Sequence, residues 1–248
     1  MKIANEIKSA NIAEISGNFA KQGISTDFQG NKVIAWCCQK TLGIFNELNR
    51  KYGLKLGLPK AIYVNDFSQL KCPDEIDGHA FHLFLPCKIK PGSEQIFSER
   101  TLFFNRDSYA WKNINEFADV RFKNSNAASN NFLDVFTHEF SHPAHVVNLR
   151  RKQNAETYTQ FIYDALKERN KQKLSTICDY AAKNPIEAIG CDLSRTVIDS
   201  LNSNLVPIKN SFANSPYEKL SVWDRLFGAD EDELNQLLRD FWNGKLGT

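Results

Sequence analysis

The 248-residue chain carries 31 Lys and Arg against 29 Asp and Glu, a formal charge of +2, and is 42% hydrophobic. That length builds one large domain or two lobes around a sizeable core, and scattered basic residues are not a nucleic-acid footprint. No run approaches the roughly 18 apolar residues of a membrane span, and the polar start MKIANEIKSANIAEISG lacks the apolar stretch of an export signal, so a cytoplasmic location is expected. The six cysteines, Cys37, Cys38, Cys72, Cys87, Cys178 and Cys191, have no close metal-binding spacing and read as reduced thiols.

In chain order, residues 1–30 are weakly patterned and read as a loosely docked arm. Lys32 to Tyr52 is strongly helical, with Val33, Ile34, Trp36, Cys37, Leu42, Ile44, Phe45 and Leu48 on a broad apolar face and Gly53 as its stop. Pro59 opens a change of period. Residues 61–64, 81–85 and 101–104 read as short strands, separated by the loops CPDEIDG and KPGSEQ. His82 falls on the second of these strands and His79 just before it, and both read as core or edge residues. Residues 109–122 are helical again, with Trp111, Ile114, Phe117, Ala118 and Phe122 on one side. Beyond residue 150, helix-period segments lie at 155–171, 175–183, 186–201 and 231–242. This order predicts an α+β fold: a single domain over 1–248, with a sheet-and-helix lobe (31–150), a helical lobe (151–248) and the site in the cleft between them.

The chemistry is concentrated in NNFLDVFTHEFSHPAHVVNLR, residues 130–150, which holds three of the five histidines. His138-Glu139-Phe140-Ser141-His142 is an HExxH sequence, whose chance expectation in this composition is roughly 0.006. Phe132, Leu133, Val135 and Phe136 form a helical apolar face before it, and Asn130 or Asn131 can cap the start. On a helix, positions i and i+4 lie one above the other, so both imidazoles reach one metal ion. Glu139 is offset by about 100° and lies beside the metal, where the base for a metal-activated water belongs. Pro143 removes a backbone hydrogen bond to the Glu139 carbonyl, so a kink or end is expected near His142.

A catalytic zinc takes three protein ligands and keeps one open position. His145 shares the stripe but sits about 10.5 Å along the axis from His138, too far for both to reach one ion on a straight helix, and reads as a cleft-wall residue. Glu187 is the better third ligand. Asn184-Pro185 reads as a helix start, which places Glu187 in a first turn, among Ile186, Ala188 and Ile189. A carboxylate in such surroundings needs a partner, and a metal is one. Asp134, one turn before His138, reads either as an orienting group or as a solvated one.

HExxH followed 45 residues later by Asn184-Pro185-x-Glu187 resembles the zincin metallopeptidases of the gluzincin type, with the closest likeness to the anthrax lethal factor-like group. In that group a tyrosine precedes the glutamate ligand, as Tyr180-Ala181-Ala182-Lys183-Asn184-Pro185-Ile186-Glu187 does here. The run from Arg100 to Ala118 is similar to the zincin edge strand and the helical segment after it; together the matches span roughly residues 101–201. The resemblance implies a zincin-like fold, zinc on His138, His142 and Glu187, Glu139 as base, Tyr180 as donor to the oxyanion, and a peptide or protein substrate. Position 191, acidic in many gluzincins, holds Cys191, with Asp192 one further on. Two other readings stand beside this one: an inactive zincin-like metal-binding interaction module, and a helical protein in which the motif is accidental. Nickel, cobalt or manganese also suit such donors.

Overall fold

The computed structural model describes residues 2–52, 56–70, 78–83, 88, 92, 94–127, 129–150, 179–182, 187, 190, 191, 193, 194 and 198. The helices expected at 155–171 and 231–242, Gly53, the Asn184-Pro185 cap and most of the C-terminal lobe lie outside these residues.

Four short strands form a mixed sheet in the order β1-β2-β4-β3. β1 (Ser25–Asp27) runs parallel to β2 (Ala61–Asn65), and β2 runs parallel to β4 (Thr101–Asn105). β3 (Ala80–Leu83) closes the described sheet antiparallel to β4, with Ala80 opposite Phe104 and His82 opposite Leu102. A parallel pair needs a crossover, and α3 (Lys32–Tyr52) lies in the one between β1 and β2, with the bounds its apolar periodicity predicts. Asn31 starts it by accepting the Ile34 N–H at 3.0 Å.

Side chains alternate across the sheet, and the alternation splits the core in two. Ile62, Val64, Ala80, Leu102 and Phe104 join the helices in the main core, whereas Phe81, Leu83 and Phe103 form an aromatic-rich cluster with Phe97 on the other face. His82 alternates with Phe81 and Leu83, so it shares the face of Ala80 and points at the helical layer.

Three differences from the sequence reading have local causes. Residues 1–30 are not a loose arm: α1 (Lys2–Ser9) and α2 (Ile12–Ala20) are helices, and Ile15, Phe19, Ile24 and Phe28 are buried in the main core. Ile15 and Phe19 are one helical turn apart, and Asn11 caps α2 by accepting the Ala13 and Glu14 N–H groups. Strand β1 is the polar tripeptide Ser-Thr-Asp, invisible to a hydrophobicity pattern. Secondly, the 101–105 strand is interior, hydrogen-bonded to β2 and β3; among the described residues the edges are β1 and β3. Thirdly, the 109–122 helix is broken into a 3₁₀ turn (Tyr109–Trp111) and α4 (Ile114–Lys123), leaving Phe122 47% exposed.

Helix α5 (Asp134–Arg150) carries the histidine motif and continues through Pro143. It does not end there. An interior proline costs about 3 kcal/mol, but Phe136, Phe140 and Ala144 are fully buried on both sides of it. Phe136 stacks on Phe104 at 5.1 Å between centroids, and Phe140 meets Phe45 edge-on at 5.7 Å. Such burial of about 2 kcal/mol per large side chain offsets the lost backbone bond. Asn131 supports the start of the helix by accepting the Leu133 N–H at 2.9 Å. Among the described residues no helix is long and apolar enough to cross a membrane.

The loop entering β2 touches α5 where Gly57 meets Val147, and a Cβ at Gly57 would overlap that side chain. Gly57→Ala is therefore expected to destabilise the fold by about 2 kcal/mol through overpacking, measured as a fall in the urea midpoint with an unchanged slope.

Candidate metal centre

The centre is made where two helical stripes meet. Asp134, Thr137, His138 and Ser141 lie at i, i+3, i+4 and i+7 on α5. Glu187, Gly190, Cys191 and Ser194 repeat that spacing, and all four are helical. The stripes are tied by Ser194, whose Oγ lies 3.0 Å from Asp134 Oδ1, 3.1 Å from the Asp134 carbonyl and 2.5 Å from Thr137 Oγ1. Asp134 is only 4% exposed, so it is a buried anchor rather than a solvated surface group. Burial raises its carboxyl pKa, opposed by the His138 and Arg121 charges and the Ser194 hydrogen bond.

This docking brings Glu187 to the histidines. His138 Nε2 is 2.9 Å from Glu187 Oε2 and 3.2 Å from His142 Nε2, and the third side of the triangle, His142 Nε2 to Glu187 Oε2, is 3.8 Å. Zinc–ligand bonds of about 2.0–2.1 Å in a tetrahedron place neighbouring donors about 3.3 Å apart. The three observed separations bracket that value, and the donor set is two imidazoles and a carboxylate, so the residues fit a zinc-type ion. Ligand atoms of His138, Glu139 and His142 also lie within 4.8 Å of one another. Both carboxylates are thus near the nitrogens. Glu187 lies within hydrogen-bond distance of His138, and Glu139 leaves α5 about 100° from His138, beside the donor triangle.

Electrostatics support the same division. Burial alone would depress His138, but the hydrogen bond to Glu187 and the charges of Glu187, Glu139 and Asp134 raise it to about 9. Burial would raise Glu187, yet His138 and His142 hold it down to about 2. Burial, reinforced by His138 and His145, takes His142 down to about 3. The pair of His138 and Glu187 thus favours its charged form, while His142 is held towards the neutral imidazole.

Tyr180 lies on a 3₁₀ turn (Asp179–Ala182) rather than on the α-helix expected over 175–183. Its ring is 5.9 Å from that of His138. The turn is held from outside: Ser125, in the left-handed region at φ 55°, offers its carbonyl to the Asp179 and Tyr180 N–H groups at 2.9 and 3.4 Å.

Sequence reasoning did not assign His82 to the site. Its ring lies 5.6 Å from His142 at 30°, and it is 8% exposed; the period-two alternation that sets it on the face of Ala80 is the signal that points it there. His145 is buried, 2% exposed, and is not among the grouped donor atoms of His138, Glu139 and His142. His79 is remote from it, bonded through Nδ1 to Ser108 Oγ at 2.6 Å and packed on Tyr109 and Phe117. Cys37, Cys38 and Cys191 are buried thiols. No protein-family model matches the chain, and no curated protein or solved structure matches it either.

Burial lowers His145 to about 4 from an ordinary value of 6.5. A group with a depressed folded-state pKa stabilises fully above its unfolded value, and that stability drains away as pH falls from about 6.5 towards 4. In chelator, wild type is expected to lose about 2 kcal/mol more than His145→Leu between pH 7 and pH 5, read from urea unfolding at each pH.

Proposed function

We propose that the protein is a zinc-dependent metallopeptidase of zincin-like fold, hydrolysing peptide bonds in a peptide or protein substrate. The observation that carries this reading is the donor triangle of His138, His142 and Glu187, with the Glu139 carboxylate beside it. The small mixed sheet and an antiparallel strand beside α5 are compatible with the gluzincin resemblance, the lethal factor-like group in particular.

His138, His142 and Glu187 would hold the ion. A zinc ion so held supplies Lewis acidity towards a carbonyl and lowers the pKa of water. Glu139 is the proton carrier: buried to 7% exposure, it accepts the proton of the attacking water and returns it to the leaving amine. Tyr180, ring to ring with His138, supplies a phenolic donor for the charge that develops on the carbonyl oxygen. β3 offers backbone along one side of α5, where an extended peptide can pair.

The second reading is a metal-binding module without hydrolytic activity. The observation favouring it is the thiol of Cys191, rather than a carboxylate, against His138.

Metal content by mass spectrometry of protein purified without chelator separates these readings from an accidental motif. About one zinc per wild-type chain is expected, and much less in Glu187→Ala; an absence of metal even after zinc addition refutes the site. Glu139→Gln is expected to retain zinc while peptide-library hydrolysis falls by at least about 100-fold. Hydrolysis at the wild-type rate in that variant removes Glu139 from the mechanism. Zinc at full occupancy with no cleavage by wild type of any library peptide supports the module.

A further inference from the structure

The imidazole of His138 has two nitrogens, and its Nε2 faces Glu187 and His142. The opposite nitrogen, Nδ1, faces the second helical stripe, where Cys191 Sγ lies 3.6 Å away. That separation is a hydrogen-bond distance for sulfur, and the residue is 2% exposed, so water does not compete for the contact. The neighbouring residue makes room for the ring: a Cβ on Gly190 would stand 2.9 Å from His138 Cε1 and 3.2 Å from Nδ1. Only a glycine lets the stripe approach His138 this closely. Cys191 follows Glu187 by one helical turn, so one face of one helix carries a ligand and the group that touches another ligand.

An imidazole that binds a metal through Nε2 carries its proton on Nδ1, and the acceptor of that proton fixes the tautomer and the ring plane. We propose that Cys191 is the positioning residue of His138, its sulfur accepting the Nδ1–H while Gly190 provides the space for the ring. The inference rests on the reading of His138 as a metal ligand. Sulfur is a weak acceptor, so this support is softer than a carboxylate would give, and the glycine seat carries more of the orientation.

The test is zinc affinity by chelator competition for wild type, Cys191→Ala, Cys191→Ser and Gly190→Ala, with thermal unfolding in excess chelator as the measure of folding. Cys191→Ala is expected to bind zinc about 10–100-fold more weakly, with Cys191→Ser between it and wild type because the hydroxyl still accepts. Gly190→Ala is expected to weaken zinc comparably by displacing the ring. Wild-type affinity in a folded Cys191→Ala, or equal losses in the alanine and serine variants, overturns the role of the sulfur and leaves the metal centre standing. Failure of wild type to bind zinc overturns the metal centre and the positioning role with it. Nitrogen-15 spectra of the histidine rings in zinc-loaded wild type decide the point without any variant. A proton on Nδ1 of His138 is expected; a proton on Nε2 overturns the proposal.

Discussion

Everything at the centre depends on the seam between α5 and the stripe of Glu187, Gly190, Cys191 and Ser194. Two histidines one turn apart on a helix are available to any sequence that can write them. A third donor 45 residues beyond the second histidine is not, and the seam supplies it. Gly190 sets how close the two helical surfaces come, and Ser194 sets their axial register by bonding to both the side chain and the carbonyl of Asp134. A slip of one residue along this seam would carry Glu187 about 100° around its helix and out of reach of both imidazoles. The polar clamp is buried, so its members must satisfy each other, and that requirement makes the register specific.

The sheet holds α5 still. Aromatic side chains from three elements, Phe104 on β4, Trp111 in the turn before α4 and Phe45 on α3, pack on Phe136 and Phe140. Those two phenylalanines are one turn apart on α5, on either side of His138. The histidine is therefore anchored by core packing on its own helix and by the seam across from it. β3 adds a different constraint: antiparallel pairing places His82 opposite Leu102, and the pleat directs it at His142. A buried imidazole against the His142 ring excludes water without adding charge, because burial and the neighbouring histidines keep His82 well below its ordinary pKa.

Much of this was legible in the sequence wherever the signal was periodic. The α3 bounds, the three longer strands and the pairing of His138 with His142 all follow from spacing, and Glu187 was reachable through its apolar neighbours and the resemblance. What escaped was non-local. No pattern within residues 101–105 tells an interior strand from an edge one, since the distinction lies in two hydrogen-bonded partners from elsewhere in the chain. Strand β1 is three polar residues that pair along the side of β2 that β4 does not cover. Asp134 looked equally suited to water or to the site because its partner, Ser194, is 60 residues away. Spacing was nevertheless present on both sides of the seam: 134, 137, 138, 141 and 187, 190, 191, 194 are the same template, and small or polar residues at those positions suit a close helix–helix contact.

The charge arrangement bears on the metal site proposed here. In small structural zinc domains the ligands have nowhere to go without the ion, and metal binding is folding. Here the ligand side chains already have mutual partners: Glu187 with His138, and His138 with His142. His138 and His142 hold the Glu187 carboxyl below the value that burial alone would give it. The seam and the core are held by contacts that involve none of the three donor side chains: Ser194 bonds to Asp134, and Phe136 and Phe140 pack on Phe104 and Phe45. An ion bound as proposed would meet ligand side chains that already contact one another.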